Sequence, residues 1–576
     1  MSALRRSDWI MAGWCALLTG AILAPALRPG YILAYDMVAT PRPPLDWRSM
    51  GLGDALPRAV PQDAVVAVVA LAIRGDLVQK AALVAVVFAA ALGAARLVPA
   101  DRLVPAARLG PPLVAATVYA WSAYLGERLF IGHWGLLAAY AALPWLVRAA
   151  FAVRAGERGA AWRVVACGAP AFLTPSGGVI ALGTAVALLA TVRRGWAALG
   201  GLALLTAPWI VAGLLGPAPG RSDPAGVAAF APRAENWSGT IGALLTLGGV
   251  WNRGAMPASR AGWLTPILGI AVLALAAAGA TSMRRAWPAG SLTALATAAA
   301  VGVGLAAAGA LPGSRRIVAL AVESVPGAGL LRDGQKLIAP FALLVAVAAA
   351  AGAHRIASWL DGRGERLAAT AVLVTAVLLP IAALPDLAGL PGLGARRLTA
   401  VHYPPEWDRV AALTARSPGE LVTLPFGAFR AYPWNGGRTA LDPADRYFAV
   451  PVVVDDELVV GGQGAAKVRG ESPRAATIRA ALAGGRPLAA EGVRWALVER
   501  DQPGEVPPQA LAGMRQVYQD GSLALYENPA APDPPLPALW RRLTLLAAYL
   551  LALATVVTSV IVNRVHVRVR KSRTDW

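Results

Sequence analysis

The sequence predicts an all-α transmembrane bundle of about twelve spans that carries a small exported α/β domain. Three observations lead there. The 576-residue chain is 57% hydrophobic and only 15% charged, too little polar surface for a soluble protein of this length. Its Ala-, Leu- and Val-rich runs approach or exceed the roughly 18–20 residues that cross a bilayer. One long late segment, about 385–539, instead reads as a mixed α/β unit.

The apolar runs fall at about 9–27, 79–97, 112–126, 134–151, 162–174, 176–192, 195–215, 262–281, 288–310, 337–354, 367–385 and 541–562. Arg5 and Arg6 precede the first, which is long for a signal peptide and has no small-residue cleavage site after it. It is therefore expected to be a retained span. The fifth and sixth runs are short and joined by Thr174-Pro-Ser-Gly-Gly178, consistent with a kinked unit or a re-entrant pair.

Loop charges test this count. With the N-terminus inside, the inner segments carry Arg96, Arg102 and Arg108, then Arg148, Arg154, Arg158 and Arg163, then Arg193 and Arg194. Arg284 and Arg285 follow, then Arg355, Arg363 and Arg366, and finally a tail with Arg564, Arg568, Arg570, Lys571 and Arg573. Every inner segment is basic, which places both termini in the cytoplasm. The expected organisation is a bundle over 1–384 with outer loops 28–62 and 216–261, an extracytoplasmic α/β domain over 385–539, and a last helix with a basic tail over 540–576. In the α/β segment, a helix is expected from Glu406, strands over 420–425 and 493–499, and a hairpin over 516–526 turning on Asp520-Gly521. A Pro-rich stretch, 528–537, leads back to the membrane.

Several function classes are excluded. The net charge of +20 is spread over short loops, as topology requires, with no basic stripe for nucleic acid. Cys15 and Cys167 lie in apolar runs and form neither a disulfide framework nor a CxxC site. There is no Walker A, HExxH or GxSxG pattern. The span interiors almost lack acidic residues, which argues against ion-coupled transport.

The chemistry is expected on the outer face. Asp36 lies just past the first span in Tyr35-Asp-Met37, where partial desolvation makes a carboxylate a better proton acceptor. Asp46, Arg48, Asp54 and Arg58 follow, and all of these could instead be solvated loop charges that pair with one another. Glu127, Arg128 and His133 occupy what reads as a very short outer turn. They suit a supporting or acceptor-binding role, or an interfacial ion pair beside a belt Trp134. Arg332 and Lys336 flank Asp333-Gly334, with Arg315 and Arg316 in the same outer loop. Such a cationic cluster suits a lipid phosphate, although export fixed by the flanking spans would also explain it. Trp237 and Trp251, with Asn and Arg beside them, suit sugar stacking and equally suit an interfacial belt.

With these residues in view, the chain resembles the GT-C class of polytopic membrane glycosyltransferases, and among them the actinobacterial arabinofuranosyltransferase D type. The segments that carry the resemblance are Glu127-Arg-Leu-Phe-Ile-Gly-His-Trp-Gly-Leu-Leu-Ala-Ala-Tyr-Ala-Ala-Leu-Pro-Trp145, Thr174-Pro-Ser-Gly-Gly178, Leu331-Arg-Asp-Gly-Gln-Lys336 and Gly492-Val-Arg-Trp-Ala-Leu-Val-Glu-Arg-Asp501. The resemblance implies transfer of an arabinofuranosyl or mannosyl unit from a polyprenyl-phosphate donor to a cell-envelope glycan in the outer leaflet. It implies Asp36 as general base, and the cationic cluster of Arg332 and Lys336, with Arg315 and Arg316, would then hold the donor phosphate. The chain is much shorter than that type, so its large carbohydrate-binding additions are expected to be missing. Tyr-Asp-Met also lacks the paired acids of some members, which leaves a divalent metal open and unsupported. The alternatives are a lipid or glycan transporter, a non-catalytic scaffold of envelope assembly, or an inactive relative.

Overall fold

A computed structural model describes residues 6–99, 109–390, 395–461 and 466–574. Arg5, Arg102 and Arg108 lie outside them. Among the described residues, eight helices are long and apolar enough to cross a membrane: Arg6–Leu27, Gly75–Leu97, Trp134–Arg154, Leu264–Ala286, Ser291–Ala310, Gly334–Asp361, Arg366–Ala383 and Leu539–Val565. A ninth is a pair, Gly195–Leu204 and Ala207–Leu215, bent by 42°.

The expected count of about twelve is therefore not met by full-length spans. The other three apolar runs form shorter helices, Gly110–Ala120, Ala160–Leu173 and Pro175–Leu189. The first of these differs most from expectation. The run over 112–126 breaks at Trp121, and Ser122 starts a new helix, Ala123–Phe130, by accepting the Leu125 N–H at 3.2 Å. Glu127 and Arg128 thus sit on a buried helix and not in an outer turn. The last helix continues through the basic tail to Thr574.

Burial separates inner from outer helices. In Trp134–Arg154 and Gly334–Asp361, 89% and 78% of the most apolar stretch is buried, against 22% in Leu264–Ala286, Arg366–Ala383 and Leu539–Val565. The first two form the centre, and the others present Leu, Val and Ile outward, as lipid contact requires. Leu264–Ala286 and Gly334–Asp361 meet backbone to backbone, because a Cβ on Gly279 would strike the Ala348 carbonyl and one on Gly352 the Leu275 carbonyl. A helix absent from the sequence reading, Gln62–Ala70, precedes the second span. Its Val65 and Val68, with nearby Leu71, are exposed, the pattern of a segment lying along a membrane surface.

The α/β unit forms at one end of the bundle. Its main sheet comprises β1 (Leu421–Leu424), β2 (Val452–Val453), β3 (Trp495–Glu499), β4 (Arg515–Gln519) and β5 (Leu523–Glu527). The order is β2-β1-β3-β5-β4, with β1 parallel to both neighbours and β5 antiparallel to both of its own. The helix Pro405–Thr414 and the β4–β5 hairpin agree with the sequence reading. Asp520 closes that hairpin by accepting the Ser522 and Leu523 N–H groups, each at 2.8 Å.

The loop after the first helix is stitched to both bodies. Gln79 in the bundle takes the Ile32 N–H and donates to its carbonyl, each at 2.9 Å. On the other side, Tyr31 exchanges backbone bonds with Val401, and Tyr35 bonds Thr439 and Leu441. A segment expected as a free loop is therefore a fixed layer between bundle and sheet, because its backbone groups need partners once covered.

Candidate active site

Asp36 stands where that layer meets the bundle. Its backbone N–H donates to the Ile131 carbonyl at 3.1 Å. The preceding Tyr35 has φ +46°, a conformation that costs energy for a residue with a side chain and persists only where surroundings impose it. Gly132 makes the approach possible, since a Cβ there would collide with the Met37 nitrogen. The carboxylate is 40% exposed, and its Oδ2 lies 2.8 Å from His133 Nε2.

From His133 the polar contacts continue inward. Arg128 Nη1 lies 3.0 Å from His133 Nδ1. The Arg128 guanidinium also grips Asp333 with both terminal nitrogens and donates to the Gln335 Oε1. Gln335 in turn donates to Glu127 at 3.1 Å, and Glu127 accepts the Val250 N–H at 3.2 Å. Burial raises the Asp333 carboxyl, but Arg128, its hydrogen bonds and Lys336 outweigh that and hold it at about 2. Burial, then the neighbouring Glu235, push Glu127 well above the usual carboxylate range. Glu127 Oε1 finds no donor, yet faces Glu235, whose own oxygens accept from Gly249 N–H and Arg260. A proton on Glu127 Oε1, donated to Glu235, satisfies that oxygen.

The three bundle motifs meet here. Lys336 Nζ donates to Ser176 Oγ at 3.2 Å, joining 331–336 to 174–178, while Arg128 joins 127–145 to 331–336. Arg332 points elsewhere: its guanidinium pairs with Glu471 of the α/β unit at 3.0 Å and lies 5.8 Å from the Phe230 ring. Glu471 also pairs with Arg58 and accepts from Ser222. Arg58 and Arg446 both feel the Asp36 carboxylate electrostatically. They line a cavity of about 350 Å³ between the 38–66 segment and the sheet, together with Val38, Asp46 and Trp134.

Other expected residues are placed apart. Asp46 is held by Arg48 at 2.6 Å on the cavity wall. Trp251 packs edge-on against Phe230, 4.8 Å between centroids, beside Arg332. Trp237 is 62% exposed and donates to the Trp263 carbonyl, so it belongs to an outward-facing belt. Arg315 and Arg316 lie on the helix Pro312–Ser324 beside exposed Ile317 and Leu320, and none of the bonds described above involves them. Glu127 is completely buried, which leaves it a supporting position without access to an acceptor. Among the described residues no three His, Cys, Asp or Glu side chains gather into a metal-binding group.

Sequence reasoning did not assign Asp333, Gln335, Arg446 or Glu471 to the site. Asp333 and Gln335 lie within the 331–336 motif, between Arg332 and Lys336. Arg446 and Glu471 carry no local signal, because each meets the site only through the packing of the α/β unit.

No protein-family model matches the chain, and no curated protein matches it. Among solved structures, the cryo-EM structure of the arabinofuranosyltransferase AftD from Mycobacteria superposes with a TM-score of 0.57 at 18% identity, over 92% of this chain. The chain has a GT-C-like fold. One class of a mutant AftD gives 0.54 at 19% identity, again over 92% of this chain. The chain spans only 40% and 42% of these two chains. The GT-C-like body thus accounts for nearly all of this chain and less than half of the structures it matches.

Proposed function

We propose that the protein is a membrane glycosyltransferase that works on the outer face of the cytoplasmic membrane. It moves a sugar of arabinofuranosyl or mannosyl type from a polyprenyl phosphate to a cell-envelope glycan. The observation that carries this reading is Asp36, partly exposed, with Oδ2 held by His133 and with Arg58 and Arg446 near enough to feel its charge. The fold likeness and the basic inner loops support the class and the face.

In this reading the acceptor enters through the cavity of about 350 Å³, whose lining reaches Val38 and Trp134 but not Asp36 itself. Asp36 Oδ1 takes the proton of its hydroxyl as that oxygen attacks the anomeric carbon. The bond from that carbon to the phosphate oxygen breaks, and its electron pair leaves with the phosphate. Lys336, with Arg58 and Arg332 nearby, stabilises the departing charge. The pairing of Arg332 with Glu471 gives it a second task, holding the α/β unit over the site. The roles of Arg315 and Arg316 reduce to attraction of an anionic lipid surface.

The full chain in lipid nanodiscs, supplied with a radiolabelled polyprenyl-phosphate sugar and an acceptor oligosaccharide, tests this. Asp36→Asn is expected to lower kcat roughly 10²–10⁴-fold with unchanged thermal stability. Full transfer by Asp36→Asn or Asp36→Ala removes Asp36 as the base.

A further inference from the structure

We infer that His133 is a positioning residue that orients Asp36, and that Arg128 fixes it as the Nε2–H tautomer. This rests on the reading of Asp36 as the base. A guanidinium has N–H donors and no acceptor. Arg128 Nη1 faces His133 Nδ1 at 3.0 Å, so Nδ1 must present its lone pair. The ring proton then sits on Nε2 and is donated to Asp36 Oδ2 at 2.8 Å.

Arg128 cannot easily turn away. It is fully buried, and its two terminal nitrogens are already committed to Asp333 and Gln335. The donor direction therefore runs one way, from Arg128 through His133 to Asp36. In a Ser-His-Asp triad the acid orients a histidine that acts as base. Here the order is reversed, and the histidine orients the acid.

Two consequences follow for the reaction. His133 occupies Oδ2, so Oδ1 is the oxygen left for the acceptor proton. That proton also has no onward path through the ring. Nδ1 is blocked by Arg128, and Asp333, close enough to feel His133, is itself bound to Arg128. The proton leaves Asp36 directly to water, which its 40% exposure allows.

Solid-state NMR of the full chain in nanodiscs with isotope-labelled histidine nitrogens tests the tautomer. The chain has four histidines, and the signal lost in His133→Gln identifies the one in question. A protonated Nε2 coupled to a bare Nδ1 is expected, and a protonated Nδ1 overturns the inference. Kinetics supply the second arm. His133→Leu is expected to lower kcat roughly 10–100-fold, the loss of one hydrogen bond to a charged group, with the donor KM unchanged. His133→Gln, whose amide N–H reaches the Nε2 position, is expected to recover most of that loss. Equal kcat for the Leu and Gln variants overturns the positioning role. Failure of Asp36→Asn to lose activity would remove the base and leave the tautomer result standing, so the two ideas fail separately.

Discussion

Two buried ionic clusters in this chain look alike and behave differently. One lies in the bundle beneath Asp36, where Arg128 binds Asp333 and Gln335. The other lies in the α/β unit, where Arg430 binds Asp442 at 2.9 Å and also Glu499, with the Tyr432 hydroxyl donating to Glu499 at 2.8 Å. The difference is in charge ratio and in outlet. Arg128 serves one ionised acid, and Asp333 is held at about 2. Arg430 serves two acids; burial first, then Asp442, push Glu499 up to about 8. The bundle cluster also opens through His133 onto a half-exposed carboxylate. The cluster in the α/β unit closes on itself, with Asp442 and Glu499 both fully buried. A buried charge network is costly wherever it stands, and of these two only the one beneath Asp36 reaches a partly exposed carboxylate.

Cutting each cluster at its arginine gives the largest contrast. Arg128→Met and Arg430→Met each leave buried carboxylates unpaired, and each is expected to cost about 3–5 kcal/mol of stability. Only Arg128→Met should also lower kcat in the fraction that remains folded. Thermal melts beside initial rates check this, and equal loss of kcat in both variants would dissolve the comparison.

The charge ratio predicts a smaller effect with a definite sign. Glu499 keeps its proton in the folded protein up to about 8, whereas the unfolded chain loses it near the ordinary 4.5. Between these values the folded state binds more protons, so stability falls as pH rises and levels off above about 8. Glu499→Gln is expected to flatten that slope between pH 5 and 8. A Tm-against-pH series on both proteins measures it, and an unchanged slope assigns the titration to another group.

The smallest effect is expected at Glu127. A protonated Glu127 that donates to Glu235 is well imitated by an amide, so Glu127→Gln should change stability by less than about 1 kcal/mol. Glu127→Ala should cost several times more, since it strands Gln335 and the Val250 N–H. Thermal melts of the pair decide this; equal losses would mean that Glu127 is ionised.

Much of the fold was legible in residues. The helix from Pro405, the strands at 421–424 and 495–499, and the Asp520 hairpin follow from local pattern, which is why they appear where expected. The bundle was legible as hydropathy, but its breaks were less so. Ser122 inside an apolar run reads as one small residue, and its capping bond to Leu125 exists only once the chain turns there. The candidate site was half legible. Asp36, His133 and Lys336 carry chemistry in their own side chains and stood out. Arg446 and Glu471, 410 and 435 positions from Asp36 by residue number, did not.

By itself the sequence determined that the chain is a helical membrane protein with one late α/β segment, because transfer energies and short-range pattern act residue by residue. It also determined which loops are basic. Only the tertiary structure decided which polar groups meet. Hydrogen bonds reach about 3 Å, and the 127–145, 174–178 and 331–336 motifs come within that distance only when the helices that carry them are packed. The same packing decided that Arg332 holds Glu471 and that Asp36 is served by a histidine whose proton is set by an arginine behind it.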